Sequence, residues 1–326
     1  MERTQGGHMI ECMKTGPDGT TKIPAPVPGC WISVVKPDQS ERQWLQETLG
    51  IVPEFVRSAF DEEESSHTDF DDDTKQALVI VDCPCVEDDQ ESDDPSTVQY
   101  ETQPLSLLFI PEKDVIVTVS LRRNETIEAF LSGRVRNINT NLKTRFLLRI
   151  LLHVSQRYLQ CLRNIDRQFN ANEKILRETL RDEQLIKMLG FQKSLVYFST
   201  SLKADEATLT RIKNRQIIRL YDDDKDLLDD VFIEIRQAIE MTSIYTNILE
   251  GTMDTFGTII NNNVSQSMRI LTVVTLVLSV PTIVFSFYGM NTEDKLPFAA
   301  DWIPPMIITA ALCVVAIVLL RRKRLI

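Results

Sequence analysis

Thr275, Ser279, Thr282 and Ser286 follow one another at intervals of four, three and four residues, so a helix places all four hydroxyls on one face. Carried on by the same steps, the row passes through Leu271, Met268 and Ser265 in one direction and meets Gly289 in the other. It lies in an uncharged apolar run, 270–288, close to the ~20 residues that a helix needs to cross roughly 30 Å of hydrocarbon. Two kinds of chemistry suit such a row. Small and hydroxyl side chains let membrane helices approach closely. The same hydroxyls form a polar wall when several copies surround an axis, and a chain with two spans needs an oligomer to enclose one.

A second apolar run covers 303–320, and only the segment 289–302 separates the two. They read as a transmembrane helical hairpin. Neither run contains Asp, Glu, Lys or Arg, which argues against a proton-coupled or ion-pair carrier. The tail, 321–326, opens with Arg321-Arg322-Lys323-Arg324, whereas the loop between the runs holds one Lys295 against Glu293, Asp294 and Asp301. Basic residues beside short loops stay on the cytoplasmic side. Both termini are therefore expected in the cytoplasm, with Glu293 and Asp294 as extracytoplasmic loop acids.

Elsewhere the chain is acidic, with a net charge of -11 over 326 residues, and residues 1–100 hold 22 Asp and Glu against seven Lys and Arg. No soluble surface is basic enough to track a phosphate backbone, so nucleic acid is excluded as a partner. No G-x-x-x-x-G-K-[ST] loop is present, and no nucleotide is expected to drive the protein. The first 30 residues lack the apolar core of a signal peptide. Six cysteines without framework spacing suit a reducing compartment, and Cys83-Pro84-Cys85 has no second Cys or His pair to complete a metal site. His8, His67 and His153 read as structural or surface residues. The chain is not expected to be an enzyme.

The elements that must position the row divide as follows. Residues 1–140 mix apolar runs at 31–35, 77–81, 104–110 and 115–119 with helical stretches at 40–49 and 53–60, the first capped by Ser40 and the second opened by Pro53. This is an α/β domain with a small sheet. Residues 141–269 are helical. Phe146, Leu147, Ile150, Leu151, Val154, Tyr158, Leu162, Ile165 and Phe169 mark one face of a long helix, and segments at 182–201 and 205–221 follow. A further pattern opens at Asp226 and meets no proline before Pro281, so a stalk helix over about 226–288 would span about 95 Å. A break near Gly251 or Gly257 is the alternative.

Gly289-Met290-Asn291 stands where the first membrane helix ends. A Gly-Met-Asn tripeptide at that place in a C-terminal hairpin resembles the signature of the CorA family of magnesium channels. Leu49 to Pro53, followed by Phe55, Val56 and an acidic run, also resembles the N-terminal domain of that family. The resemblance implies an α/β cytoplasmic domain, a long-helix stalk and a two-helix hairpin. It further implies a homopentamer in a plasma (inner) membrane, with 270–288 lining the pore and 303–320 outside it.

Magnesium dehydrates reluctantly and keeps several waters. Gly289, Met290 and Asn291 would then form the selectivity ring, through Asn291 amide oxygens and Gly289 or Met290 carbonyls. Thr282 and Ser286 would serve as further outer-shell acceptors. Transition metals prefer imidazole or thiolate, which the row lacks; cobalt and nickel remain open as cargo, and zinc is disfavoured by Met290. Met268 and Leu271 would form apolar rings that gate by dewetting, with simple helix packing as the alternative.

Acidic runs at 61–64, 71–73, 87–94 and 222–230 are either regulatory or solvated surface. Family members close when magnesium binds acids between neighbouring cytoplasmic domains. By position, Asp254, 37 residues before Asn291, matches the stalk member of that pair, and Asp61 is its first candidate partner. Arg57 and Ser58 stand where acids were expected. A related zinc, cobalt or nickel transporter, and a two-span sensor or scaffold without transport, are the rival readings.

Overall fold

The computed structural model describes residues 9–17, 19–86, 99–136, 138–179, 182–215, 218, 220–289 and 303–322. Seven strands form one sheet: β1 (Met9–Gly16), β2 (Gly19–Ile23), β3 (Cys30–Val35), β4 (His67–Phe70), β5 (Ala77–Val86), β6 (Tyr100–Ile110) and β7 (Val115–Ser120), in the order β2-β1-β3-β7-β6-β5-β4. Only β3 and β7 pair in parallel; every other neighbour is antiparallel.

Both faces of the sheet are covered. Helices α1 (Gln39–Glu47) and α2 (Pro53–Ala59) close one face, where Leu45, Phe55 and Val56 pack with Ile32, Val34, Ile80 and Val117. On the other face Trp31 stacks 5.1 Å from Phe146, and Phe130 lies 5.7 Å from Phe146. The Trp31 indole donates to Thr118 Oγ1 at 2.9 Å, so burial leaves its one polar group satisfied. Two-sided burial explains the continuous apolar runs of β5 and β7. The outer strands β1, β2 and β4 have mixed compositions without an apolar run, and the sequence reading missed all three.

Two local expectations are corrected. Helix α1 is capped by Asp38, not Ser40: the Asp38 carboxylate accepts from Glu41 N, Glu41 Oε2 accepts from Asp38 N, and Ser40 Oγ only donates to Asp38 Oδ1 at 2.6 Å. That reciprocal pair satisfies two of the helix's orphan donors. The segments expected at 182–201 and 205–221 begin as one helix, α5 (Asp182–Arg215). Asp205 does not start a helix. It lies mid-helix with its carboxylate accepting from the Asp82 backbone N–H on β5 and from Ser66 Oγ. A tertiary partner replaces the capping role that Asp usually seeks.

The remaining helices are α3 (Glu125–Leu131), α4 (Lys143–Thr179), α6 (Asp222–Tyr288) and α7 (Ile303–Arg322). Two compact units divide the chain, Met1–Glu250 and Gly251–Ile326. Within the first, α4 and α5 pack on the sheet through Tyr158 and Phe198, whose rings meet edge-on at 5.1 Å. Helix α6 runs through Gly251 and Gly257 without interruption in its hydrogen bonding.

Candidate functional site

Helix α6 begins on acids. Asp222, Asp223 and Asp224 occupy its first turn, where the helix dipole favours negative charge. Asp224 is buried and accepts from Arg145 Nε at 3.1 Å, while Asp222 pairs with Lys225, whose hydrogen bond and charge hold the Asp222 carboxyl below its usual range. These members of the 222–230 run stabilise a helix start. In the 71–73 run, Asp71 Oδ2 accepts from Thr74 N and Oγ1 at 2.7 and 2.6 Å and closes a turn. Asp61 is exposed just after α2, and its Oδ1 accepts from Glu63 N at 3.0 Å.

Within the second unit, α6 carries an apolar window long enough to cross a membrane, and hardly any of that window is buried. Its hydroxyls are satisfied locally. Thr275 Oγ1 donates to Leu271 O at 2.8 Å, Ser279 Oγ to Thr275 O at 2.8 Å, and Thr282 Oγ1 to Leu278 O at 3.0 Å. Ser265 Oγ does the same to Asn261 O at 2.8 Å. A hydroxyl that donates to its own helix keeps its oxygen lone pairs for outside donors. Water in a cation's hydration shell turns its hydrogens outward. At Ser265, Thr275, Ser279 and Thr282 the row therefore presents acceptors to what such a shell offers, with these donors paired inside the helix.

The shielded side of the same segment is elsewhere. Val273, Val277 and Val280 are half-buried and Val284 is buried, at intervals of four, three and four. At 100° per residue these valines lie roughly 160° around the helix from the hydroxyl row. On α7 the covered positions have the same spacing: Thr309 and Leu320 are buried, Cys313 and Ala316 half-buried. Ser279 and Pro281 are half-buried on α6, but Thr275, Thr282 and Ser286 are exposed. Met268 and Leu271 are exposed, as are Ile270, Leu278 and Ile283 on other sides of the helix.

Tracing the row toward the helix start reveals residues that the sequence reading passed over. Asp254, Thr258, Asn261, Ser265, Met268, Thr272, Thr275, Ser279, Thr282, Ser286 and Gly289 alternate steps of four and three without a gap; Met268 is the one large apolar member, and Leu271 stands beside Thr272 at the edge of the row. Thr258 and Thr272 also donate to their i−4 carbonyls, at 3.0 and 2.8 Å. The signal was a seven-residue repeat, Asp254, Asn261, Met268, Thr275, Thr282 and Gly289.

Gly289 closes the seam. Its N–H donates to Phe285 O at 2.9 Å, and a Cβ there would sit 3.1 Å from that same oxygen, so a larger residue crowds the helix end. Met290, Asn291, Glu293 and Asp294 lie outside the described residues.

The family model for CorA-like Mg2+ transporter proteins matches residues 29–322. The chain belongs to that family. It is 27% identical over 278 residues to the cobalt/magnesium transport protein CorA of Methanocaldococcus jannaschii, covering 82% of this chain and 81% of the relative. The magnesium transport protein CorA of Helicobacter pylori is 21% identical over 170 residues, 51% of this chain and 53% of its own. Among solved structures, the complete CorA magnesium transporter of M. jannaschii superposes with a TM-score of 0.77 at 23% identity, covering 98% of both chains. Full-length CmaX superposes at 0.72 with 13% identity, over 99% of this chain and 100% of that one. The fold is thus that of CorA proteins: an α/β N-terminal domain, a long stalk helix and C-terminal helices. CorA-like proteins are divalent-cation transporters, not enzymes.

Proposed function

We propose that this CorA-like protein is a magnesium channel that admits the hydrated ion and closes when cytoplasmic magnesium rises. The observation that carries this reading is the seam on α6, polar from Asp254 to Gly289 except at Met268, on the opposite side from the covered valines. Five copies arranged with that seam inward would form a pore in a plasma (inner) membrane, with α7 outside and both termini cytoplasmic. Gly289, Met290 and Asn291 would select at the entrance; Glu293 and Asp294 would attract cations to it. Thr275, Ser279, Thr282 and Ser286 would pass the hydration shell from ring to ring. Met268 and neighbouring Leu271 would form the dewetting gate. A divalent ion crossing 100 mV gains ~4.6 kcal/mol, on the order of a thousandfold accumulation, so no nucleotide is required.

The regulatory metal would bind acids, with Asp254 on the seam as one ligand and Asp61 as its candidate partner from another copy. Cobalt transport is supported by the name of the M. jannaschii relative, a cobalt/magnesium transport protein. Divalent flux into proteoliposomes, with cobalt hexammine as a hydrated-ion mimic, tests the proposal. Magnesium uptake blocked by the mimic is the expected result. Uptake of cobalt or nickel alone would favour the rival cargo, and no flux of any divalent ion would leave a sensor or scaffold.

A further inference from the structure

On the solvent side of α4, away from the core row that includes Tyr158 and Leu162, lies a pocket of about 360 Å³. Its wall includes Arg157, Arg163, Arg167, Gln160, Asn164 and Tyr100, and no carboxylate among the described residues. On a chain of net charge -11 that concentration of positive charge is local and specific. Arg157 is already engaged, by an ion pair with Glu125 and by donating from Nη1 to Gln160 Oε1 at 3.0 Å, yet its Nε is buried without a hydrogen-bond partner. Gln160 is exposed, and its oxygen accepts from Arg157, so its amide N–H groups are its remaining donors. Asn164 Nδ2 donates to the Tyr100 hydroxyl at 2.6 Å, which frees the phenolic proton to donate in turn.

Arg163 and Arg167 form no ion pair or hydrogen bond among the described residues, and both are exposed. They are four residues apart on one helix face, an arrangement in which like charges repel. Nearby Asp166 accepts from Asn170 Nδ2 at 3.1 Å. A bound anion would relieve the repulsion. The positive field is felt next door: burial, then the charges of Arg157 and Arg134, holds the His153 imidazole below its usual pKa.

We propose that this pocket binds a phosphate-bearing anion, gripped by Arg163 and Arg167 and completed by Arg157, Gln160 and Tyr100. Every charged group in the wall is a guanidinium, whose planar fork matches phosphate oxygens two at a time. The volume is at the small end of ligand pockets, suited to one or two phosphate groups. The proposal is independent of the transport reading, and the anion acts as an effector, not an energy source. The acidic surface of a second copy is the competing occupant, and it would show as a change in oligomeric size when the arginines are replaced.

The test is calorimetric titration of the full chain in detergent and magnesium-free buffer with inorganic pyrophosphate and with ADP, at low and high salt. Saturable binding that weakens with salt is expected. Equal affinity for the two probes assigns the site to the phosphates alone, and tighter ADP binding to a nucleotide. Arg163→Gln with Arg167→Gln is expected to weaken binding at least ~tenfold without shifting the unfolding temperature. The lysine pair should restore only part of the loss. The proposal is overturned if neither probe binds at millimolar concentration, or if the glutamine pair leaves affinity unchanged. It is also overturned if that pair alters oligomeric size in anion-free buffer, which would place the arginines at an interface between copies.

Discussion

Half-buried Asp82 on β5 and fully buried Asp205 on α5 hold sheet and helix together. Asp205 Oδ1 accepts from the Asp82 backbone N–H at 2.9 Å and from Ser66 Oγ at 2.6 Å, while Oδ2 is buried and has no partner. The Tyr158 hydroxyl donates to the Asp82 backbone carbonyl at 3.1 Å, and the Asp82 N–H also reaches Ser66 Oγ at 3.1 Å. No cation is among the groups that act on either acid; the other titratable neighbours are Cys83 and Tyr158. Burial, and then the charge of Asp82, pushes the Asp205 carboxyl well above the usual range, and burial raises Asp82 as well. A carboxylate buried without a counter-ion is unfavourable, so the pair retains a proton when folded.

That proton makes stability depend on pH. Unfolded aspartates release theirs near pH ~3.9, whereas the folded pair holds on to a higher pH. Between those limits the folded state binds more protons, so stability falls as pH rises, by up to about 1.4 kcal/mol per unit for each retained proton. Asp205→Asn keeps the accepting oxygen and has no charge to bury. Thermal unfolding should show the variant more stable than the wild type at pH 7, with the advantage shrinking toward pH 4. An advantage that does not vary with pH would show that Asp205 is already ionised in the fold.

The seam has a direct test in thiol accessibility. Single cysteines at Thr275, Thr282 and Ser286, in a Cys313→Ser background, should react with a water-soluble thiol reagent in conducting channels. Val277→Cys and Val284→Cys, on the covered side, should be protected. Equal reaction on both sides would return the hydroxyl row to helix packing.

Asn291→Ala removes the amide that we assign to the entrance ring. Magnesium flux into proteoliposomes should drop to background while the assembled oligomer keeps its size. Wild-type flux in this variant would take the selectivity ring away from Asn291.

Asp254→Ala removes one carboxylate from each copy of the seam. If that carboxylate binds the closing ion, the variant should conduct at magnesium concentrations that shut the wild type. Closure at the wild-type concentration would move regulation to other acids.

Met268→Ser would replace the one large apolar member of the seam with a residue like its neighbours. A dewetting gate should then leak, and magnesium flux should persist at concentrations that close the wild type. Closure as complete as in the wild type would exclude Met268 as the barrier.

Much of this molecule is legible in its sequence because much of its burial is local and periodic. Strands β5 and β7 are covered on both faces, so Ala77 to Val81 and Val115 to Val117 are unbroken apolar runs, and α4 buries one side, so Tyr158, Leu162, Ile165 and Phe169 recur at helical spacing. The two apolar runs and the Gly289-Met290-Asn291 tripeptide likewise need no partner to be seen. Strands β1, β2 and β4 gain their order from neighbours distant in sequence, and their mixed residues carry no such mark. The Asp38–Glu41 box was a local signal that Ser40 obscured. Asp205 illustrates the boundary best. By itself an aspartate reads as a helix start, and only its hydrogen bonds to Ser66 and Asp82, 139 and 123 residues away, keep it inside α5. The hydroxyl row was visible as spacing, but its separation from the valine side was decided by which face of α6 is covered, and covering is a contact that no single segment encodes.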